Sequence, residues 1–460
     1  GDAASAIIAI SGGGGGGFLA EVQGDLLGGS NTLGNTTGGD ISLSNTAALS
    51  TAGEGSIGLA AISHGGGSAI TGPVTASVEM ISIGSIGSSD GSSGDLSITN
   101  SANISTKGAA APALLLQSIA GGGVYAPIAS DPNFFWLGNA SGNSGANNAG
   151  SITLTTKGNI LTQGIGSQAL IAQSIGGGGG FFGDIAPNTT GNSAALLGSQ
   201  GRHDDQSLAS AREWQNGWLD FISTDVVQDE PHWLKDLGNL DELDKIISKE
   251  ITSPGGGGDA AAIDINITGD QYRTEGNNSS VVLLQSIGDG GGWLLLDQGN
   301  NYTFLGSLES SGGIGGAINA TTNIDLVSLG ANSPAFVAQS IGGGGGATGD
   351  SKLMARLGTT RSKGNSGAGD ISIDHNGTIA TAGIFSSGLL AQSIGGGGGL
   401  SGSIAGAVSM GYKENEADYQ ARGGSITLTT SGDISTEGNH SPALVAQSIG
   451  GGGEIGRASC

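Results

Sequence analysis

The sequence has 460 residues, of which 93 are Gly, only 4% are aromatic and 12% are charged, and its formal net charge is −24. This acidic balance argues against nucleic acid or an anionic membrane as a partner, because both select basic surfaces. The glycines show no three-residue period, which excludes collagen, and no apolar run approaches the roughly 20 residues that span a bilayer.

A motif related to AQSIG, followed by a run of glycines, recurs from the first residues to the last. Neighbouring motifs are 52 to 56 residues apart, except for one interval of 112 residues. A fixed period predicts a repeat architecture, here of about eight units of about 54 residues. The chain opens and closes within this pattern, so we expect it to be an internal piece of a longer polypeptide. The anchoring serines are Ser11, Ser63, Ser118, Ser174, Ser286, Ser340, Ser393 and Ser448.

Each unit contains a core that reads as three short β-strands. In "GSITLTTSGDISTEGNHSPALVAQSIGGGG" (424–453) these are "SITLT", "DIST" and "ALVAQSI", with Gly432 and Gly438 at the boundaries. Ile426 and Leu428 alternate with Ser and Thr, which is typical of a half-buried strand. One such unit cannot bury its apolar face alone, whereas stacked units form a continuous core. The sequence therefore predicts an all-β fold, a parallel β-solenoid.

Stacking places equivalent residues of successive units in columns. Leu170, Val282, Phe336, Leu389 and Leu444 form one apolar column. A second column predicts a structural ladder in which side-chain amides hydrogen-bond up and down the stack. A sugar-binding stripe is the alternative interpretation, and the self-satisfied ladder is favoured. The ladder consists of Gln117, Gln173, Gln285, Gln339, Gln392 and Gln447.

The third strand of each core is apolar on both faces, so its outer face needs a cover. An apolar residue follows most glycine tracts, and about 20 residues without a strand pattern lead to the next core. We expect the glycines to let the backbone leave the strand and this segment to fold back over the outer face. The candidate covering residues are Phe18, Tyr125, Phe181, Trp293 and Leu400.

One segment has a different composition and explains the long interval. Repeats over 1–182 and 258–460 flank an insertion over 183–257, in which a helical hairpin is predicted at about 206–251 from apolar residues at helical spacing. The candidate partner-binding residues are Trp214, Trp218 and Trp233. The alternative, which carries more weight, is that these tryptophans only pack the hairpin together or onto the repeats.

The sequence contains few residues in patterns typical of catalysis or metal binding. The histidines His64, His203, His232, His375 and His440 form no metal-binding or catalytic motif. Acidic pairs at Asp204–Asp205, Asp229–Glu230 and Asp241–Glu242–Asp244 lie in or beside the insertion, where a solvated face is the common reason for such charge. The only cysteine, Cys460, allows no intrachain disulfide. We therefore expect no catalytic residue, no cofactor and no metal.

The pattern GDIST followed by ALVAQSIGGGGG resembles repeats in the passenger regions of large bacterial autotransporters. The resemblance covers most of the chain outside 199–253. It implies type V secretion, an extracellular location on the bacterial cell surface, and membrane attachment only through an outer-membrane barrel that is not in this sequence. It further implies a non-enzymatic stalk or adhesin that binds a cell-surface or matrix ligand or associates with itself. A polysaccharide-cleaving β-helix enzyme and an inert spacer are the alternatives.

Overall fold

The computed structural model describes most of each repeat. In these ranges every regular element is a β-strand, and all strand pairs are parallel except for one two-stranded antiparallel pair. The expected all-β class with parallel strands is thereby confirmed for the described residues. The ranges are 2–14, 36–66, 91–130, 148–186, 257–296, 312–349, 365–404 and 421–451, together with the shorter 16–19, 26–28, 68–71, 80–83, 134–138, 193–197, 202–203, 251–253, 301–307, 354–358, 407–411 and 453–458.

The AQSIG segments form the first sheet, in which each repeat contributes one strand. Neighbouring strands pair in perfect register, so that Gln173 lies opposite Gln117 and Gln285. Strands of the interior repeats are buried on both faces, as expected for a covered parallel sheet. The strands are β1 (Ile7–Gly12), β6 (Leu59–His64), β11 (Leu114–Ile119), β16 (Leu170–Ile175), β22 (Val282–Ile287), β26 (Phe336–Ile341), β31 (Leu389–Ile394) and β36 (Leu444–Ile449).

The first two strands of each core belong to a second sheet, with alternating buried and exposed residues. Its long strands are β4 (Ile41–Asn45), β9 (Leu96–Asn100), β14 (Ile152–Lys157), β21 (Ile263–Thr274), β25 (Ile318–Ser328), β29 (Ile371–Asn376) and β34 (Ile426–Thr430). The short ones are β5 (Leu49–Thr51), β10 (Ile104–Thr106), β15 (Ile160–Thr162), β30 (Ile379–Thr381) and β35 (Ile434–Thr436). The three predicted strands are thus separate in five of the described cores, whereas in the other two the first and second strands run on as the single strands β21 and β25, so the boundary predicted between them was wrong there.

The segments after the glycine tracts form two further parallel sheets, so the prediction that they are irregular was wrong. The third sheet contains β2 (Gly16–Leu19), β7 (Ser68–Thr71), β12 (Gly123–Ser130), β17 (Gly179–Ala186), β23 (Gly291–Leu296), β27 (Gly345–Thr348), β32 (Gly398–Ile404) and β37 (Gly453–Ala458). The fourth contains β3 (Leu26–Gly28), β8 (Met80–Ile83), β13 (Phe134–Leu137), β18 (Ser193–Leu197), β24 (Asn301–Leu305), β28 (Met354–Leu357) and β33 (Ala407–Met410). The antiparallel pair is β19 (Arg202–His203) with β20 (Ile251–Ser253). Stacking on the corresponding segment of the neighbouring repeat supplies the backbone partners here, where the sequence has little alternation.

Two apolar layers lie on opposite faces of the first sheet. One is shared with the second sheet and contains Leu170 and Ile152. The other is built from the opposite face, including Ile171 and Leu283, and is covered by Tyr125, Phe181 and Trp293 of the third sheet. The predicted cover of the outer face is therefore confirmed for these residues. Burial of each large apolar side chain contributes about 1.5–3 kcal/mol, repeated in every unit.

The glycine tracts mark the entry into the third sheet. Gly291 and Gly292 have φ of +136° and +142°, in a region that side chains rarely adopt. A Cβ atom at Gly291 would overlap the carbonyl of Gly345 in the next repeat. Both the backbone conformation and the close stacking therefore require glycine at Gly291 and at the matching Gly179, Gly345 and Gly398, whereas Ser68 holds the same register position in an earlier repeat.

Candidate interaction surfaces

The six glutamines of the first sheet form a continuous hydrogen-bonded ladder. The Nε2 atom of each donates to the Oε1 atom of the next, at 2.8, 2.7, 2.7, 2.7 and 3.0 Å from Gln117 to Gln447. The first five side chains are fully buried. The side-chain amides hydrogen-bond to one another in the interior of the protein, so they are not accessible to a sugar.

The ladder also joins the first sheet to the third and has a defined start. The second amide hydrogen of Gln173 points at the carbonyl of Gly180, at 3.3 Å between Nε2 and O. Gln117 Oε1 is buried without a donor among the described residues, because Ile62 occupies the matching position in the preceding repeat. The ladder thus begins with one unsatisfied acceptor.

The serine of AQSIG ties the first sheet to the start of the second. Ser286 Oγ donates to the carbonyl of Ala261 at 2.8 Å and accepts from the backbone N–H of Gly316, one repeat further, at 2.8 Å. One hydroxyl therefore joins two successive repeats, a role that sequence reasoning missed when it assigned the serines only to a column. The same pair of bonds is made by Ser63, Ser118, Ser174, Ser340 and Ser393.

A corner between the second and first sheets recurs with left-handed backbone. Gly55 and Gly166 occupy this position with φ of 63° and 66°, and Ala110 occupies it with φ of 44°. Phe385 and His440 adopt it in successive repeats, with their rings stacked at 5.1 Å between centroids. Asn278 and Asn332 also adopt the left-handed conformation at this corner, with φ of 55° and 53°. The corner conformation is therefore kept even where the residue disfavours it.

A polar seam runs through the core along the second sheet. Asn45 Nδ2 donates to Asn100 Oδ1 at 2.8 Å, and Asn100 Nδ2 donates to Thr156 Oγ1 at 3.3 Å. In the next repeat the matching residue is Ile267, and the Tyr272 hydroxyl donates to Thr156 Oγ1 instead, at 3.0 Å. In this repeat the hydrogen-bonding group therefore belongs to Tyr272, further along strand β21, instead of to the residue at the matching position.

Two histidines lie inside the protein. His64 Nδ1 is 2.9 Å from the carbonyl of Gly66, and burial lowers its pKa below the ordinary 6.5. His375 Nδ1 is 2.7 Å from Thr322 Oγ1, its Nε2 has no hydrogen-bond partner within the described ranges, and burial likewise lowers its pKa. Burial therefore favours the neutral imidazole form of both histidines at neutral pH.

The outer surface of the second sheet has a shallow groove of about 450 Å³ over four repeats. Arg273 lies on its wall and pairs with Glu275 at 3.1 Å between Nε and Oε1. A hydrogen bond from Gln163, assisted by Arg273, lowers the pKa of the Glu275 carboxyl. The groove is lined by Ala48, Leu49, Ser50, Asn103, Ile104, Ser105, Asn159, Ile160, Leu161, Gln271 and Arg273.

The predicted helical hairpin and its tryptophans cannot be placed in this geometry. Trp214, Trp218 and Trp233 lie outside the described residues, as do the acidic pairs of the insertion and His232. Their assignment as partner-binding residues stays a prediction.

Comparisons with protein-family models, with curated proteins and with solved structures found no match to this chain. Over the ranges described above, no helix has the length and apolar character to cross a bilayer. In the same ranges, no three His, Cys, Asp or Glu side chains cluster in a way that would hold a metal ion.

Proposed function

We propose that this chain is a parallel β-solenoid that serves as a non-enzymatic stalk and adhesin on a bacterial cell surface, in the manner of an autotransporter passenger. The observation that carries the proposal is the unbroken Gln ladder. A column that keeps one side chain and one hydrogen-bond direction through six repeats supports a stiff, extended stack. At about 4.8 Å per stacked strand, such a stack grows in length with each repeat and suits the presentation of loops away from a cell.

The way in which side chains are used supports a structural role for the repeats. The buried polar columns of Gln and Ser hydrogen-bond to neighbouring repeats. The half-buried ion pair of Arg273 and Glu275 is a local contact between two residues at the end of one strand. Attachment then resides on loops and insertions, because a rigid scaffold commonly positions binding residues on its connections.

The test is attachment by bacteria that display the full protein, to one another and to a coated surface, at matched surface levels. One strain carries the natural protein, one lacks 199–253, and one carries Trp214→Ala, Trp218→Ala and Trp233→Ala. Loss of attachment in both variants would assign adhesion to the insertion. Attachment retained in both would direct attention to the groove and to other loops.

A strain without the displayed protein is the reference. If it attaches as well as the strain with the natural protein, the adhesin proposal is wrong and the inert spacer is favoured.

The groove has a matched variant pair: Leu161→Asp places a charge on its wall, and Ser372→Asp places the same charge on another outer surface of the second sheet.

A further inference from the structure

One repeat has an aspartate in its glycine tract, at a position where other repeats have glycine. Asp289 follows the anchoring Ser286 by three residues, and its backbone has the left-handed φ of 75° that the matching glycines also adopt. The Asp289 side chain is fully buried. The matching glycines, with φ between 69° and 82°, are Gly121, Gly177, Gly343, Gly396 and Gly451.

Aspartate is an unfavourable residue at this position for the stability of a single repeat. A side chain strains left-handed backbone, although Asp tolerates it better than most residues, and burial removes the carboxylate from water. Gly avoids both costs in the other repeats. The strain at Asp289 therefore indicates a role other than the packing of its own repeat.

Asp289 lies where the chain re-enters the stack after the insertion. The chain leaves the fourth sheet after Leu197 and returns at Gly257, whereas in the next repeat the equivalent link is only 306–311. The antiparallel pair of β19 with β20 joins the two ends of the insertion outside the repeats. The insertion is thus connected to the following repeat through the segment 257–258, which we call the return segment.

Asp289 contacts both the return segment and the end of the fourth sheet. Its backbone N–H donates to the carbonyl of Gly258 at 2.9 Å, a bond that matching glycines also make in their repeats. Its carbonyl accepts a hydrogen bond from the Ser307 hydroxyl, just beyond β24. The carboxylate is the part that a glycine lacks: Oδ1 lies so close to Gly257 that a Cβ atom there would be 2.5 Å from it.

We propose that Asp289 is a positioning residue that fixes the return segment and thereby the place where the insertion joins the stack. The Cα atom of Gly257 lies between the Asp289 carboxylate and the carbonyl of Gly312 in the next repeat, which a Cβ atom would overlap. The return segment is therefore held on two sides. This role deepens the proposed function and rests on it only for the expected effect on attachment.

The test measures hydrogen exchange of β20 in the whole protein, with β31, two repeats beyond Asp289, as the reference. For Asp289→Gly we expect exchange in β20 to become about tenfold faster, and exchange in β31 to stay unchanged. Asp289→Asn keeps the Oδ1 atom and tolerates left-handed backbone, so it should exchange as the natural protein does. Ala110→Gly is the matched control, because it relieves left-handed strain at a corner in a repeat that does not adjoin the return segment.

Three results would overturn the positioning role: unchanged exchange in β20 of Asp289→Gly, equal acceleration in β20 and β31, or the same acceleration with Asp289→Asn. Attachment by bacteria that display Asp289→Gly separates this role from the proposed adhesion. Faster exchange in β20 with reduced attachment is the expected result. Faster exchange with full attachment would support the positioning role and contradict adhesion through the insertion.

Discussion

Left-handed backbone recurs at one corner of the repeats, although the residue there changes. Gly occupies it at Gly55 and Gly166, while Ala110, Phe385 and His440 adopt the same conformation with a Cβ atom. Such a residue costs roughly 1–2 kcal/mol that Gly avoids. The stacked neighbours hold the corner in place, because Ala110 N donates to the carbonyl of Ile165 in the next repeat at 2.7 Å. Single corners are therefore strained, although the stack is regular.

Ala110→Gly should raise the free energy of unfolding by about 0.5–1 kcal/mol, because relief of the left-handed strain exceeds the entropy that Gly adds to the unfolded chain. Ala109→Gly is the control, next to the corner but without positive φ, and should lower stability. Denaturation by urea measures both. Equal destabilisation by the two variants would contradict this account of the corner.

The buried histidines predict how stability depends on pH. Their pKa values lie below 6.5 in the folded protein, mainly through burial. The unfolded chain therefore binds protons first: stability is complete above about pH 6.5 and is lost as the pH falls towards the folded-state pKa. For His375 the nearby Asp325 and Asp374 oppose this depression without reversing it.

His375→Thr should reduce the loss of stability between pH 7.5 and pH 5, by about 1.4 kcal/mol for each unit by which the folded pKa is depressed. Thr is the matched residue, because Thr322 and Thr430 occupy the same column. Thermal unfolding at several pH values tests this. His440→Asn is the control, because His440 is exposed and Asn278 and Asn332 already adopt the same left-handed corner; an equal effect of both variants would exclude burial as the cause.

At the scale of the element, the Gln ladder shows which contacts can be predicted from the sequence and which cannot. The six glutamines share one place in a repeated motif, so their alignment followed from spacing alone. Their bonds to Gly180, Gly292 and Gly346 did not, because those depend on how the third sheet approaches the first. It could not be predicted either that Tyr272 would bond to Thr156 in the repeat where Ile267 holds the matching position, because only the fold brings these two columns side by side.

The ladder predicts unequal costs for one kind of substitution. Gln285→Leu leaves a donor of Gln173 and an acceptor of Gln339 without partners, and we expect a loss of about 2–5 kcal/mol. Gln117→Leu removes one unsatisfied acceptor and creates another at Gln173, so it should cost far less. Denaturant midpoints compare the two. Similar losses would mean that packing of the amides, rather than their hydrogen bonds, sets the cost.

The glycine tracts predict a sharp dependence on position. Gly291→Ala introduces both a strained φ and an overlap with the carbonyl of Gly345, and should destabilise by about 3 kcal/mol or more. At Gly367 an added Cβ atom would meet its nearest contact, Asn365 Oδ1, at 3.6 Å, so Gly367→Ala should be neutral or slightly stabilising. Hydrogen exchange in β23 and β27 reports the local effect. Tolerance of Gly291→Ala would refute the steric explanation.

At the scale of the whole molecule, the repeat period predicted parallel stacking and the three core strands. The third and fourth sheets were missed because segments such as Gly345–Thr348 contain Gly and small residues and lack alternation. What makes them strands is the presence of a similar segment above and below, which is a property of the assembly of repeats. The helical insertion and the proposed attachment function remain predictions, since both rest on residues outside the described ranges or on the resemblance alone.

The net charge of −24 predicts a salt effect over the entire chain. Raising the ionic strength from about 0.01 M to 0.15 M shortens the screening length from about 30 Å to about 8 Å and weakens repulsion among the acidic groups. We expect Tm to rise with sodium chloride, and potassium chloride to act alike. Differential scanning calorimetry measures this. A fall in Tm would show that attractive pairs such as Arg273 with Glu275 outweigh the repulsion.

All amides of the Gln ladder point the same way along the stack, because each donates towards the next repeat in sequence. Each amide group is a dipole of about 3.5 D, and aligned dipoles add. The column is therefore a permanent electric axis through the protein, with an acceptor at Gln117 and donors towards Gln447. A repeat inserted with its amide reversed would meet like poles on both sides, so the polarity of the first pair imposes one orientation on every repeat that joins it.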